Sequence, residues 1–73
     1  MKTVDCSVNS FYIMKFKGAI IDISYAGMSM QSNFPLEHGR VLNFNKGTAH
    51  KKGIVRWSIK LGDNNHRVGI SFI

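Results

Sequence analysis

Three residues in the first half of the chain have types and spacing suited to holding a purine base: Asp22, Ser24 and Gly27. Side chains two apart on a strand share a face, so Asp22 and Ser24 are expected to point the same way. An ionised carboxylate accepts two adjacent hydrogen bonds, which matches the two donors on the Watson–Crick edge of guanine. The Ser24 hydroxyl can donate or accept, and Gly27 is expected to turn the backbone and let a flat ring come close.

The same cluster also has a purely structural interpretation. Asp and Ser at the end of a strand commonly hydrogen-bond their own turn, and the pattern is short enough to arise by chance. The residue chemistry alone leaves both interpretations open. Tyr25, inside the same turn, is predicted to be exposed and available for stacking on a base or a partner.

Length, charge and cysteine content narrow the class of protein. The chain has 73 residues, enough for one domain with a thin core, and a formal net charge of +6 that favours anionic partners. Its single cysteine, Cys6, excludes an internal disulfide. Without a recognisable signal peptide or a long apolar segment, the sequence predicts a cytoplasmic protein that does not enter the membrane.

Apolar and polar residues alternate almost throughout, which predicts strands rather than helices. Gly18 is expected to form a bulge. Trp57 is expected in the core beside Val55 and Ile59, with an exposed stacking platform as the less favoured alternative. A loop is predicted over residues 32–39 and a tight turn over 61–65. The predicted strands are 3–8, 17–24, 27–31, 40–45, 53–60 and 66–72, with the apolar stretch 11–16 either finishing the first hairpin or starting the second strand.

Six short strands with turns between them predict an all-β fold, a small six-stranded antiparallel β-barrel with little or no helix. Closure is expected because an open sheet of this size would leave unpaired edges. Met28 and Met30 are predicted core residues. Arg56 and Arg67 are predicted to face outward. A solvated side of the barrel is the favoured interpretation, and added positive potential near the ligand is the alternative.

From about Lys17 to Phe72 the order of motifs resembles that of a PilZ domain. The matching pieces are a D-x-S-x-x-G motif within residues 18–30, Leu36 with residues 39–41, a G-x-V-x-W strand at 53–57 and a V-G-x-x-F strand at 68–72. The resemblance implies a single barrel domain over residues 1–73 that acts as a bacterial receptor for the second messenger cyclic di-GMP. It also implies that Asp22 and Ser24 hold a guanine edge and that Gly27 admits the ligand. Tyr25 is added to the predicted ligand-binding residues because of its place in the same turn.

One half of the family's site is missing from the chain. PilZ domains that bind the ligand carry an R-x-x-x-R motif before the first strand, but the first arginine here is Arg40, and Lys2 lacks the planar fork of a guanidinium. A charge-assisted hydrogen bond contributes about 1.5–3 kcal/mol, so losing two arginines predicts binding weaker by about 10³-fold or more. Either the domain is truncated at both ends, or it belongs to the PilZ group that lost binding.

Three functions therefore stay open. The first is a cyclic di-GMP sensor that passes its signal to a protein partner or an attached effector domain. The second is a PilZ adaptor that works through protein contacts alone. The third is a small basic barrel for single-stranded nucleic acid, which is disfavoured because Phe44, Trp57 and Phe72 are spread over three strands like a core. No metal, cofactor or catalytic role is expected, because the three histidines share no spacing and the acidic residues are unpaired in sequence.

Overall fold

The computed structural model describes residues 2–9 and 12–73, which form six antiparallel strands. The strands are β1 (Thr3–Asn9), β2 (Ile13–Ile23), β3 (Gly27–Ser32), β4 (Val41–Lys46), β5 (Lys52–Gly62) and β6 (Asn65–Phe72). They pair in the order β1-β2-β3-β6-β5-β4, and β1 pairs with β4 to close the barrel. The closed six-stranded barrel, with no helix among the described residues, confirms the predicted fold class.

The core fills the inside of the barrel with the inward-facing half of each alternating strand. Met30 and Leu42 are fully buried, and Met28 and Met30 confirm the prediction that both methionines are core residues. Phe16 and Phe34 stack with ring centroids 4.9 Å apart, so the loop after β3 contributes to the packing. The buried apolar set is Val4, Cys6, Val8, Met28, Met30, Leu36, Leu42, Phe44, Val55, Val68 and Ile70.

The observed boundaries refine the predicted segments. Strand β2 is continuous from Ile13, so residues 13–16 of the apolar stretch begin the second strand, whereas Phe11 lies outside the described residues. The final hairpin turns through Asp63 and Asn64, and Asn64 has a φ of 55°. Within residues 2–9 and 12–73, no helix is long and apolar enough to cross a bilayer.

The bulge predicted at Gly18 is wrong. Gly18 pairs in register with Val4 and with Ser32, and a Cβ there would meet the sulfur of Met30. A glycine at this position therefore makes space for a buried methionine. The register shifts lie elsewhere: at Ile21 in β2, at Arg56 and Leu61 in β5, and between Asp5 and Cys6 where β1 pairs with β4.

Gly47 and Gly39 offer a matched pair for testing how tightly the β4–β5 loop packs on β1. Both have positive φ, 103° and 88°, but a Cβ on Gly47 would lie 2.5 Å from the Thr3 carbonyl oxygen, whereas one on Gly39 would meet nothing within 4 Å. We expect Gly39→Ala to lower the free energy of unfolding by about 1–2 kcal/mol from backbone strain, and Gly47→Ala to lower it further. Urea unfolding measures both, and equal losses would contradict the close contact with β1.

Cys6 provides a test of burial by pH. Burial raises the pKa of its thiol from 9.0 to about 12; the Asp5 carboxylate adds to the rise, and a hydrogen bond with the Gly18 backbone opposes it. Because the pKa of the thiol is higher in the folded state, the protonated thiol favours folding. This contribution to the free energy of unfolding is complete below pH 9 and is lost as the pH rises toward 12. At a pH of about 10.5 we expect a loss of about 2 kcal/mol in unfolding free energy. Urea unfolding of Cys6→Val should lack that component, and identical pH dependence in both proteins would contradict the assignment.

Candidate functional site

Two β-bulges decide which side chains face outward on one side of the barrel. In β2, Ile20 pairs with Met30 and Asp22 pairs with Ser29, so Ile21 is the extra residue. In regular alternation Asp22 would share the inward face of Ile20. An extra residue in a strand shifts the alternation by one, and bulges often re-aim a side chain in this way. The bulge at Ile21 therefore turns the Asp22 carboxylate to the outside.

The second bulge corrects the prediction that Trp57 is a core residue. Val55 pairs with Ile70 and both are buried, but Trp57 pairs with Gly69 because Arg56 is the extra residue. Regular alternation would have placed Trp57 on the inward face with Val55. The structure instead leaves Trp57 42% exposed, with its indole ring over Gly69, where a Cβ would collide with the ring.

Together the two bulges build one row of residues across four strands. Asp22 on β2 lies opposite Ser29 on β3, Ser29 lies opposite Gly69 on β6, and Gly69 lies opposite Trp57 on β5. The row borders an open cavity of about 380 Å³ on the outer face of the barrel. Neighbouring strands are about 4.8 Å apart, so roughly 10 Å separate the backbones of Asp22 and Gly69, which is room for one flat purine ring.

The structure brings Asp22, Ser24 and Gly27 to the same cavity, as the motif predicts, but not Tyr25. The Ser24 hydroxyl donates to the Gly27 carbonyl at 3.3 Å, so the structural interpretation is confirmed for Ser24, whose oxygen can still accept a bond. Tyr25 is 96% exposed, as predicted, and does not line the cavity.

The expected role of Gly27 as a turn residue is wrong. Gly27 is the first residue of β3, and it is not among the glycines with positive φ. A Cβ on Gly27 would meet the Ile70 carbonyl oxygen on β6. Glycine at this position therefore allows β3 and β6 to approach each other beneath the cavity.

Two arginines, Arg56 on β5 and Arg67 on β6, lie on one side of the cavity. Both face outward, as predicted, and both line the cavity. Arg56 Nε donates to the Ser71 hydroxyl oxygen at 3.2 Å, which orients its guanidinium group. Among the described residues, the one ion pair joins Lys17 Nζ to an Asp5 carboxylate oxygen at 3.8 Å. The Asp22 carboxylate and the two guanidinium groups therefore share a cavity without forming ion pairs with one another.

A larger cavity, of about 640 Å³, lies beside β1 and β2 and is less suited to a guanine base. Its lining includes Asp5, Lys15 and Lys17. Asp5 is its single carboxylate, and that carboxylate already pairs with Lys17. The smaller cavity is the one that offers an unpaired carboxylate together with an exposed aromatic ring.

The sequence predicted Asp22, Ser24 and Gly27 for this site but missed Ser29, and for Trp57 it favoured the core over a stacking platform. A strand pattern read with strict alternation places Trp57 inside and gives Ser29 no role. One signal could have revealed the tryptophan: Gly69 interrupts the apolar strand β6, and a glycine in a strand often marks a close approach by another group.

The contact between Trp57 and Gly69 generates a prediction. A methyl group in Gly69→Ala must displace the indole ring, and the chain has a single tryptophan, so its fluorescence reports this ring alone. We expect a changed emission maximum and a shifted indole N–H resonance in Gly69→Ala. Gly62→Ala is the matched control, because a Cβ there meets nothing within 4 Å. An unchanged tryptophan environment in Gly69→Ala would contradict the described packing.

Comparison with known proteins adds no relative from which a function could be transferred. The chain matches no family model, and neither the curated proteins nor the solved structures contain a match. The resemblance of residues 17–72 to a PilZ domain therefore stays a prediction. The function has to be inferred from the geometry and chemistry of the cavity.

Proposed function

We propose that this chain is a cytoplasmic, PilZ-type binding module that takes one guanine of cyclic di-GMP in the cavity beside Asp22. The observation that carries the proposal is the cross-strand row, which puts a carboxylate and an exposed indole ring at two sides of one cavity. A carboxylate and an aromatic face are the two groups that a guanine base needs, one for its polar edge and one for its ring.

The chemistry of each group suits a defined part of the base. The Asp22 carboxylate offers two acceptor oxygens to the N1–H and N2–H donors of guanine. The Trp57 ring offers a stacking surface, and base–aromatic stacking is worth about 1–3 kcal/mol. Ser24 oxygen is within the same cavity and can accept a further hydrogen bond while its own hydrogen is donated to Gly27.

The size of the cavity suits part of the ligand. Its volume of about 380 Å³ is at the small end of the range for small-molecule sites. The cavity is open, so the second half of a cyclic dinucleotide would project into solvent or toward another protein surface. With no R-x-x-x-R motif in the chain, we expect weak binding, and we expect the bound state to be sensed by a protein partner or an attached effector domain.

A protein adaptor is the second candidate, and one observation favours it. Trp57, Ile59 and Leu61 alternate along β5 and are 42%, 53% and 55% exposed. Within the described residues, the part of β5 beyond Val55 pairs with β6 alone, so its other edge is open to an added strand. Apolar side chains on an open edge suit a partner that adds a strand. In this function the barrel binds protein and needs no nucleotide.

The titration that tests the proposal uses isotope-labelled protein, cyclic di-GMP, and a short RNA as a control ligand. We expect NMR shifts confined to Asp22, Ser24, Gly27 and Trp57 and their neighbours. Replacing the carboxylate in Asp22→Asn should weaken binding about tenfold or more, since a neutral amide offers one acceptor in place of two.

The control variant is Asp63→Asn, which removes the same charge in the β5–β6 turn, outside the cavity. Its affinity should equal that of the unmodified chain. Absence of shifts with cyclic di-GMP would favour the adaptor, whereas shifts with RNA alone would favour a nucleic-acid-binding barrel.

A further inference from the structure

A buried hydroxyl group, that of Ser29, lines the cavity. Ser29 is 7% exposed, and within the described residues its Oγ atom has no partner. Its neighbours Met28 and Met30 point into the core, so alternation along β3 directs Ser29 to the outer face, where it lines the cavity. Buried polar groups in native proteins are nearly always hydrogen-bonded to protein, water or a ligand, so this hydroxyl is available to a polar group that enters the cavity.

Two guanidinium groups flank this hydroxyl. On β6, Ser71 and Arg67 lie two residues on either side of Gly69, the pairing partner of Ser29, and face the same way. The hydrogen bond to Ser71 holds Arg56 on one side of Gly69, and Arg67 lies on the other side. Nε of Arg56 is occupied by that bond, but the remaining N–H groups of its guanidinium can still donate to a ligand.

The charge of these groups defines the chemistry of a ligand that the cavity would accept. Arg56 and Arg67 are two positive charges in the cavity, and Asp22 is the single carboxylate in its lining. Neither guanidinium forms an ion pair within the part of the chain that the structure describes. Guanidinium groups bind phosphate through paired N–H donors, and a hydroxyl can donate to a phosphate oxygen.

We infer that Ser29, Arg56 and Arg67 form a phosphate-binding subsite next to the guanine edge. The inference rests on the proposed function and deepens it: the base is held at Asp22, and the phosphodiester groups are held from β3, β5 and β6. The chain contains no R-x-x-x-R motif, so in this inference Ser29, Arg56 and Arg67 supply the phosphate contacts. The ligand class is a guanine nucleotide with at least one phosphate in reach of both arginines.

Ser29→Ala separates a binding role from a structural one. Removing an unpartnered buried hydroxyl should leave the urea midpoint unchanged or raise it, because no hydrogen bond is lost in the free protein. The same variant should bind cyclic di-GMP several-fold more weakly. A lowered midpoint with unchanged affinity would mean that Ser29 is structural, and would remove it from the subsite.

The arginines are tested with Arg56→Gln and Arg67→Gln, each compared with Arg40→Gln, which removes the same group outside this cavity. NMR titration with cyclic di-GMP should show about ten- to hundredfold weaker binding for the first two variants and no change for the third. In the unmodified chain the affinity should fall as salt is added, because salt screens the attraction between guanidinium and phosphate.

The outcomes distinguish this inference from the proposed function. If cyclic di-GMP shifts Asp22 and Trp57 but both arginine variants bind like Arg40→Gln, the receptor function stands and the subsite is overturned. If cyclic di-GMP gives no shifts, while guanosine 5′-diphosphate binds and the arginine variants lose that binding, the subsite stands and the cyclic di-GMP assignment fails. If neither nucleotide binds, the subsite is overturned.

Discussion

Two of the β-bulges, those at Ile21 and Arg56, are the constraint on which the site depends. Each shifts the alternation of its strand by one residue and moves a side chain that would otherwise be inside to the outer face. The bulge at Ile21 turns the Asp22 carboxylate toward the cavity, and the bulge at Arg56 turns the Trp57 ring toward it. Because β3 and β6 run between them in regular register, the two side chains become the ends of a single row. Without either bulge, the cavity would lose one of its two ends.

Small residues in the middle of the row make this arrangement possible. Gly69 lets the indole ring lie over β6, and Gly27 lets β3 and β6 come together beneath the cavity. Between them, Ser29 is buried, and its Oγ atom lacks a hydrogen-bond partner among the described residues. A bound phosphate would supply the missing partner. Ligand binding and barrel stability are therefore expected to be linked through this one hydroxyl group.

The all-β barrel and most strand positions could be predicted from sequence because alternation of apolar residues with a period of two is a local signal. The prediction failed where that period breaks. Gly18 looked like a bulge residue but makes room for Met30, whereas the bulges that build the site lie at Ile21 and Arg56, which have no special residue type. Trp57 was predicted in the core because the sequence did not reveal the bulge at Arg56 that turns it outward. Ser29 could not be predicted as a site residue, because its burial arises from neighbouring strands and not from its own sequence context.

The most direct test of the central claim is a set of intermolecular NOEs between the protein and saturating cyclic di-GMP. The account predicts NOEs from the guanine H8 proton to the ring protons of Trp57, together with a hydrogen-bonded guanine imino resonance that disappears in Asp22→Asn. NOEs to any other face of the barrel, or a guanine that contacts neither Trp57 nor Asp22, would contradict the claim that the bulges at Ile21 and Arg56 build a nucleotide site.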